Sequence, residues 1–190
     1  MSELTLRLAA PADSETFRAI YAQYIDTSVT FEYELPSEAE FRSRVEDVLT
    51  FYPYLAAEAD GRVIGYAYAH RAQARAAYQW NAELSVYLDR AATGHGAGAA
   101  LYTALMRLLA MQGIRTVYGI VTSPNAPSER LHEKLGFARV GLLHSAGFKD
   151  GAWYDVSWFE RQLAPCPASP AAPVPLSALP RERIAEALRV

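Results

Sequence analysis

The sequence predicts a mixed α/β domain over residues 1–163, with antiparallel pairing early in the chain and crossover helices later. Three observations carry this. Apolar residues switch repeatedly between a two-residue and a 3.6-residue period. Asp60-Gly61 separates two strand-like runs, a strong hairpin signal. A glycine cluster at 94–98 opens a run of leucines at helical spacing.

The elements follow in order. Leu4, Leu6 and Leu8 alternate with polar residues and read as a strand. Asp13 or Ser14 can cap a helix that carries Phe17, Ile20, Tyr21 and Tyr24 on one side. Ser37-Glu38-Ala39-Glu40 is a capping box before a second helix running to about Leu49. Residues 54–59 and 62–69 flank the hairpin turn, and 80–88 reads as a further strand. Leu101, Leu105, Leu108 and Leu109 mark a helix closed by Gly113. Residues 116–121 form a short buried strand, and 126–135 a helix ended by Gly136. Residues 137–143 and 153–161 read as the last two strands.

Composition narrows the class. Cys166 is the one cysteine among 190 residues, so a disulfide within the chain is excluded. With four scattered histidines and no cysteine pair, no metal site is expected. No apolar run is long enough to span a membrane. The start, Met1-Ser2-Glu3-Leu4-Thr5, has neither a basic region nor an apolar stretch, so no secretory leader is expected and the cytoplasm is the expected location. A net charge of −3 argues against nucleic acid as a partner. Residues 164–190 form a separate Pro/Ala-rich tail. The proline-rich part reads as an extended, solvated segment, and 181–188 as a short helix with Ile184 and Leu188 on one stripe.

Thr93-Gly94-His95-Gly96-Ala97-Gly98 lies between a strand and a helix. Glycines admit close approach of backbone N–H groups, and the helix N-terminus adds unpaired donors and a positive dipole end. The amides of Gly94, His95, Gly96, Ala97, Gly98 and Ala99 are therefore candidates for a pyrophosphate site. A Walker loop is excluded, because Ala99-Ala100 stands where Lys-Ser/Thr is required. A dinucleotide fold would place this turn after the first strand, and here it comes mid-chain.

A second signature follows, Asn125-Ala126-Pro127-Ser128-Glu129-Arg130-Leu131-His132-Glu133-Lys134-Leu135-Gly136-Phe137. The two together resemble the GNAT superfamily of N-acetyltransferases, over about residues 3–163. Residues 74–88, 101–105 and 146–156 are similar to the phosphinothricin and methionine sulfoximine acetyltransferase group. Thr93 departs from the superfamily's usual Arg or Gln, a change that leaves the backbone amides unaffected.

The resemblance implies a mostly antiparallel central sheet flanked by helices and splayed where acetyl-CoA binds. It implies acetyl transfer from acetyl-CoA to the free amine of a small amino-acid-like acceptor, in a homodimer. An α-amino group with a pKa of about 8 is mostly charged at neutral pH, so a general base is needed. Glu83 is the candidate, on the polar face of its strand with Asn81, Ser85 and Tyr87; its alternative is a solvated strand residue. A bulge, usual in the family, would shift the later alternation. Val86, Tyr87 and Leu88 are implied as main-chain partners of the pantetheine arm.

Several residues carry two readings. Asn125 is either a helix N-cap or a hydrogen-bond donor to that arm. His132 stands where many relatives place a tyrosine that protonates the CoA thiolate, or is a packed helix histidine. Lys134 complements the helix dipole or touches a CoA phosphate. By family match Arg75 grips an acceptor carboxylate with Tyr78 close by. Phe31 is a wall of the acceptor loop or core filling. A peptide or protein N-terminal acetyltransferase and a non-catalytic acyl-CoA-binding module are the competing functions.

Overall fold

The computed structural model describes residues 4–190; Met1, Ser2 and Glu3, part of the segment read for a leader, lie outside them. β1 (Thr5–Leu8) leads to α1 (Ser14–Ala22) and α2 (Glu38–Leu49). β2 (Tyr54–Ala59), β3 (Arg62–Arg71) and β4 (Asn81–Leu88) form a meander. Then come α3 (Ala97–Gln112), β5 (Thr116–Ser123), α4 (Ala126–Lys134), β6 (Ala138–Lys149), β7 (Ala152–Gln162) and α5 (Arg181–Ala187). The strands form one sheet in the order β1-β2-β3-β4-β5-β7-β6. Every neighbouring pair is antiparallel except β4 and β5, which α3 connects as a crossover.

The sheet has a core on each face. One gathers Leu101, Leu105, Leu108 and Leu109 of α3 against Leu55, Ala67, Leu84, Val117 and Phe159 of the strands. The other gathers Phe17, Ile20 and Tyr21 of α1 and Phe41 and Val45 of α2 against Tyr54 and Tyr66. This second core is aromatic, with Phe17 stacked on Tyr54 at 5.2 Å and Tyr66 beside both.

Local chemistry explains the boundaries. The capping box of α2 is present, Ser37 Oγ accepting from Glu40 N and the Glu40 carboxylate accepting from Ser37 N. Asp60 and Gly61 both take positive φ, as a two-residue hairpin turn requires. Asp13 does not cap α1 with its side chain. Its carboxylate is taken by Arg7, with both contacts at 2.7–2.8 Å, and accepts from the Ala10 amide. β6 runs six residues past its expected end, because a register shift between Leu143 and Gly147 and a positive φ at Ser145 carry the ladder across a stretch that lacks alternation. In the strand order β1 and β6 are the two edges, and the aromatic β7 is interior.

The tail is laid down on the domain instead of extending into solvent. Trp80 donates from Nε1 to Ala171 O at 2.8 Å, and Gln112 donates from Nε2 to Phe51 O and Val174 O. Leu176 and Ala187 are buried in the α3-side core, with Leu179, Ile184 and Leu188 packed against it. Five apolar anchors and a few main-chain bonds suffice for a segment whose prolines have little backbone entropy to lose.

Candidate active site

The site begins where β4 and β5 part. Their parallel ladder holds for Asn81↔Thr116, Ala82↔Val117 and Glu83↔Tyr118 and then stops. On its other side β4 stays in continuous register with β3 from Arg71↔Ala82 to Gly65↔Leu88, so the expected bulge is absent from this ladder. The alternation therefore runs unbroken. Ala82 and Leu84, with Val86 and Leu88, face α3, while Tyr87 packs into the aromatic core on the other side. Glu83 shares the Tyr87 face. At the branch, Tyr102 of α3 donates its hydroxyl to Leu84 O at 3.2 Å, and Tyr24 donates to Leu88 O at 2.6 Å. Ser85, Val86 and Tyr87 have no partner on β5 and line a cleft of roughly 430 Å³, counted to its open mouth, together with Ile120, Val121 and Thr122.

The glycine turn leads into α3 beyond the end of β4. Gly94 (φ +83°) and Gly96 (φ +91°) are left-handed, and a Cβ at either position would meet nothing within 4 Å. Gly96 is the N-cap and supplies no side-chain acceptor. The first bond of the helix runs from Ala100 N to Gly96 O, which leaves the preceding amides of Ala97, Gly98 and Ala99 without an intrahelical acceptor. Open space over consecutive donors at a helix N-terminus is the arrangement an anionic group needs. These amides fit the pyrophosphate expected from the sequence.

α4 brings two more candidates to the cleft. Asn125 Oδ1 accepts from Ser128 N at 3.3 Å, so its oxygen caps the helix while its amide N–H groups remain for a ligand. His132 is 2% exposed, stacked on Phe159 and edge-on to Tyr102 and Phe137. Its Nδ1–H donates to Ser128 O at 2.8 Å, and its buried Nε2 has no partner among the described residues. Burial lowers its pKa below the usual imidazole range, against a smaller opposing effect of the Ser128 bond. The neutral ring therefore presents a lone pair at Nε2, and it must take up a proton there before it can donate one. The ring fits only because position 119 of β5 is glycine, where a Cβ would stand 2.1 Å from Nε2. A glycine inside an otherwise apolar strand is a visible signal of such close approach.

Other predicted residues are more scattered. Lys134 is exposed in the last turn of α4. Arg75 is exposed at the start of a 3-10 turn, Ala76–Tyr78, and its guanidinium makes no ion pair among the described residues; no contact joins it to Glu83. Tyr78 is 44% exposed. Phe31 is half-buried, its ring against Gly147, where a Cβ would lie 2.3 Å away.

Lys149 was not legible as a site residue. It is 2% exposed, and its Nζ donates to Ile25 O, Thr27 O and Thr30 O at 2.6–2.7 Å. Tyr33 also donates its hydroxyl to Phe148 O. The end of β6 thus fastens the α1–α2 loop, which places Val29 in the cleft wall. A lysine in Phe148-Lys149-Asp150-Gly151 reads from sequence as a turn charge, and nothing local marks it as buried.

Comparison with known proteins agrees with this geometry. Residues 6–158 match the acetyltransferase (GNAT) domain family. The chain is 39% identical over 171 residues to a phosphinothricin N-acetyltransferase of Streptomyces viridochromogenes, covering 89% of this chain and 93% of that one. It is 30% identical over 169 residues to the L-methionine sulfoximine/L-methionine sulfone acetyltransferase of Pseudomonas aeruginosa, covering 87% and 98%. The crystal structure of a Sinorhizobium meliloti phosphinothricin acetyltransferase with acetyl-CoA superposes with a TM-score of 0.86 at 36% identity, covering 92% and 96%.

Proposed function

Since the chain belongs to the GNAT acetyltransferase family, we propose that it moves the acetyl group of acetyl-CoA onto the amine of a small amino-acid-like acceptor, of the phosphinothricin, methionine sulfoximine or methionine sulfone kind. The observation that carries this reading is the parting of β4 from β5 directly after Glu83, with the glycine turn and the α3 N-terminus beyond it. A pantetheine arm laid along Val86, Tyr87 and Leu88 would gain main-chain partners there, with the Asn125 N–H groups beside the arm and the pyrophosphate on the amides of residues 94–99. Bound in this way, acetyl-CoA supplies the thioester that the acceptor nitrogen attacks.

Glu83 takes the proton the amine must lose, directly or through water. His132 holds a proton in transit: with Nδ1–H committed to Ser128, only Nε2 can receive one and pass it to the leaving sulfur. Arg75 and Tyr78, both exposed, take the acceptor carboxylate, and Phe31 shapes the acceptor loop. Lys134 acts through the helix dipole. Residues 1–163 constitute the catalytic unit and 164–190 a structural tail; the protein works in the cytoplasm as a homodimer.

Thiol release measured with these three acceptors, simple amines and a peptide tests the reading. The small acids should be preferred. Glu83→Gln should lower turnover by about 10²–10⁴-fold while acetyl-CoA binding stays unchanged. A preference for peptides would overturn the acceptor class, and full activity of Glu83→Gln would overturn the base.

A further inference from the structure

We infer that His70 is a positioning residue for proton transfer, which receives the acceptor's proton from Glu83 and releases it to solvent. The inference rests on the reading of Glu83 as the base. His70 and Glu83 are directly opposed across the β3–β4 ladder, so their side chains leave the same face of the sheet side by side. His70 Nε2 stands 3.6 Å from Glu83 Oε1, an ion-pair distance, and His70 Nδ1–H donates to Arg71 O at 3.2 Å.

That second contact fixes what the pair can do. With Nδ1–H held by a carbonyl, the neutral ring turns its Nε2 lone pair toward the carboxylate. Two acceptors facing each other are favourable only when one proton lies between them. The pair can therefore hold a proton at the point where Glu83 must shed one, and across 3.6 Å it passes one through a single water or after the two side chains close to hydrogen-bond distance. The exposures fit a path outward, the Glu83 side chain being 23% exposed and that of His70 40%.

The proton balance closes without a further reagent. The acceptor nitrogen gives its proton to a Glu83 carboxylate oxygen as the N–C bond forms; when the C–S bond breaks, the CoA thiolate takes the proton carried on His132 Nε2, which is regained from solvent. The Glu83 O–H then passes the proton to His70 Nε2, and the imidazolium loses a proton to water or buffer. Each turnover returns both groups to their starting state.

The electrostatic surroundings are simple. Glu83 from β4 raises His70 above the usual imidazole range, against burial, which opposes it. Tyr68, two residues earlier on β3, lies 6.1 Å away ring to ring. Tyr118 of β5 is the register partner of Glu83, and Tyr102 of α3 senses the Glu83 charge from behind the strand. Arg71 turns its guanidinium to Ala74 O. The sign follows. The relay needs neutral His70 at the start of each turnover, so turnover should fall as pH drops through a value above that of a free imidazole.

The test compares the parent with His70→Gln, which keeps the size of the side chain, and with His70→Ala. Turnover is measured at saturating acetyl-CoA and acceptor across pH 5.5–9 in dilute buffer. Both variants should lose about tenfold in kcat near pH 8, part of the about 10²–10⁴-fold that proton transfer contributes. KM for acetyl-CoA should hold, and the acid limb should move to lower pH or vanish. Added imidazole should restore His70→Ala in proportion to its free-base concentration. Unchanged kcat and pH profile would overturn the relay, and so would a lower kcat with the acid limb in place and no rescue. Glu83→Gln, run in parallel, separates failure of the relay from failure of the base itself.

Discussion

At the scale of single residues, the site depends on groups that make little sense alone. Lys149 is the clearest case. Three carbonyls of one loop converge on its three N–H donors, and the loop they hold carries Val29 into the cleft and Phe31 against Gly147. Lys149→Met keeps the aliphatic stem and leaves the three carbonyls unpaired. Stability should fall by about 3 kcal/mol, read as a lower urea midpoint, because an unmet buried polar group costs about 1–3 kcal/mol. In the fraction that stays folded, KM for the acceptor should rise more than KM for acetyl-CoA. Equal effects on both would show that the clamp serves the fold and not the acceptor loop. Glu83, Asn125 and His132 could be found in the sequence because strand alternation and a capped helix place them. Lys149 and His70 could not, because their partners, loop carbonyls for one and a register-paired carboxylate for the other, lie up to 124 and 13 residues away in the chain.

At the scale of elements, the cleft is a consequence of one ladder ending early. β4 keeps its full register with β3 while β5 follows β7, and the gap between them opens toward the N-terminus of α3. Nothing in the composition of β4 announces this. The strand reads as an ordinary alternating run, and its parting from β5 depends on Tyr102 taking Leu84 O and on the path of β7. The glycine turn, by contrast, was fully legible, because only glycine takes φ near +90° without strain and two such positions precede the helix. That turn can be tested by a matched pair. Gly96→Asn and Gly96→Asp put side chains of equal size at φ +91°, where a Cβ meets open space, and differ in charge. CoA affinity measured by calorimetry should be at least about tenfold weaker, or about 1.4 kcal/mol, in the aspartate variant than in the asparagine variant. Equal affinities would remove the pyrophosphate from these amides.

At the scale of the whole molecule, the sheet is closed off unevenly. The sheet starts at the short edge strand β1, with the tail fastened on the α3 face through Gln112 and Trp80 and with α1 and α2 on the opposite face. At the other end β6 is a twelve-residue edge strand that bears Val140 (54% exposed) and Leu143 (50%), and Phe148 and Trp153 lie in contact near the hairpin. A long apolar edge is a pairing hazard unless something covers it. The register shift near Ser145 lies beside the paired Asp155 and His144, which leaves Val140 and Leu143 as the apolar part of this edge. A second copy of the chain related by a twofold axis would bury the same residues on both sides, which is the usual way such a surface is satisfied. The same hairpin carries Lys149, so an interface formed there would stiffen the strand that holds the acceptor loop. Light scattering at micromolar protein should therefore give twice the chain mass of 20.9 kDa. Leu143→Lys should shift the protein toward monomer with its far-UV spectrum intact, and KM for the acceptor should rise in step with the monomer fraction. A parent protein of single-chain mass would exclude the dimer. A Leu143→Lys monomer with unaltered kinetics would keep the interface but separate it from the loop, leaving Lys149 to act alone.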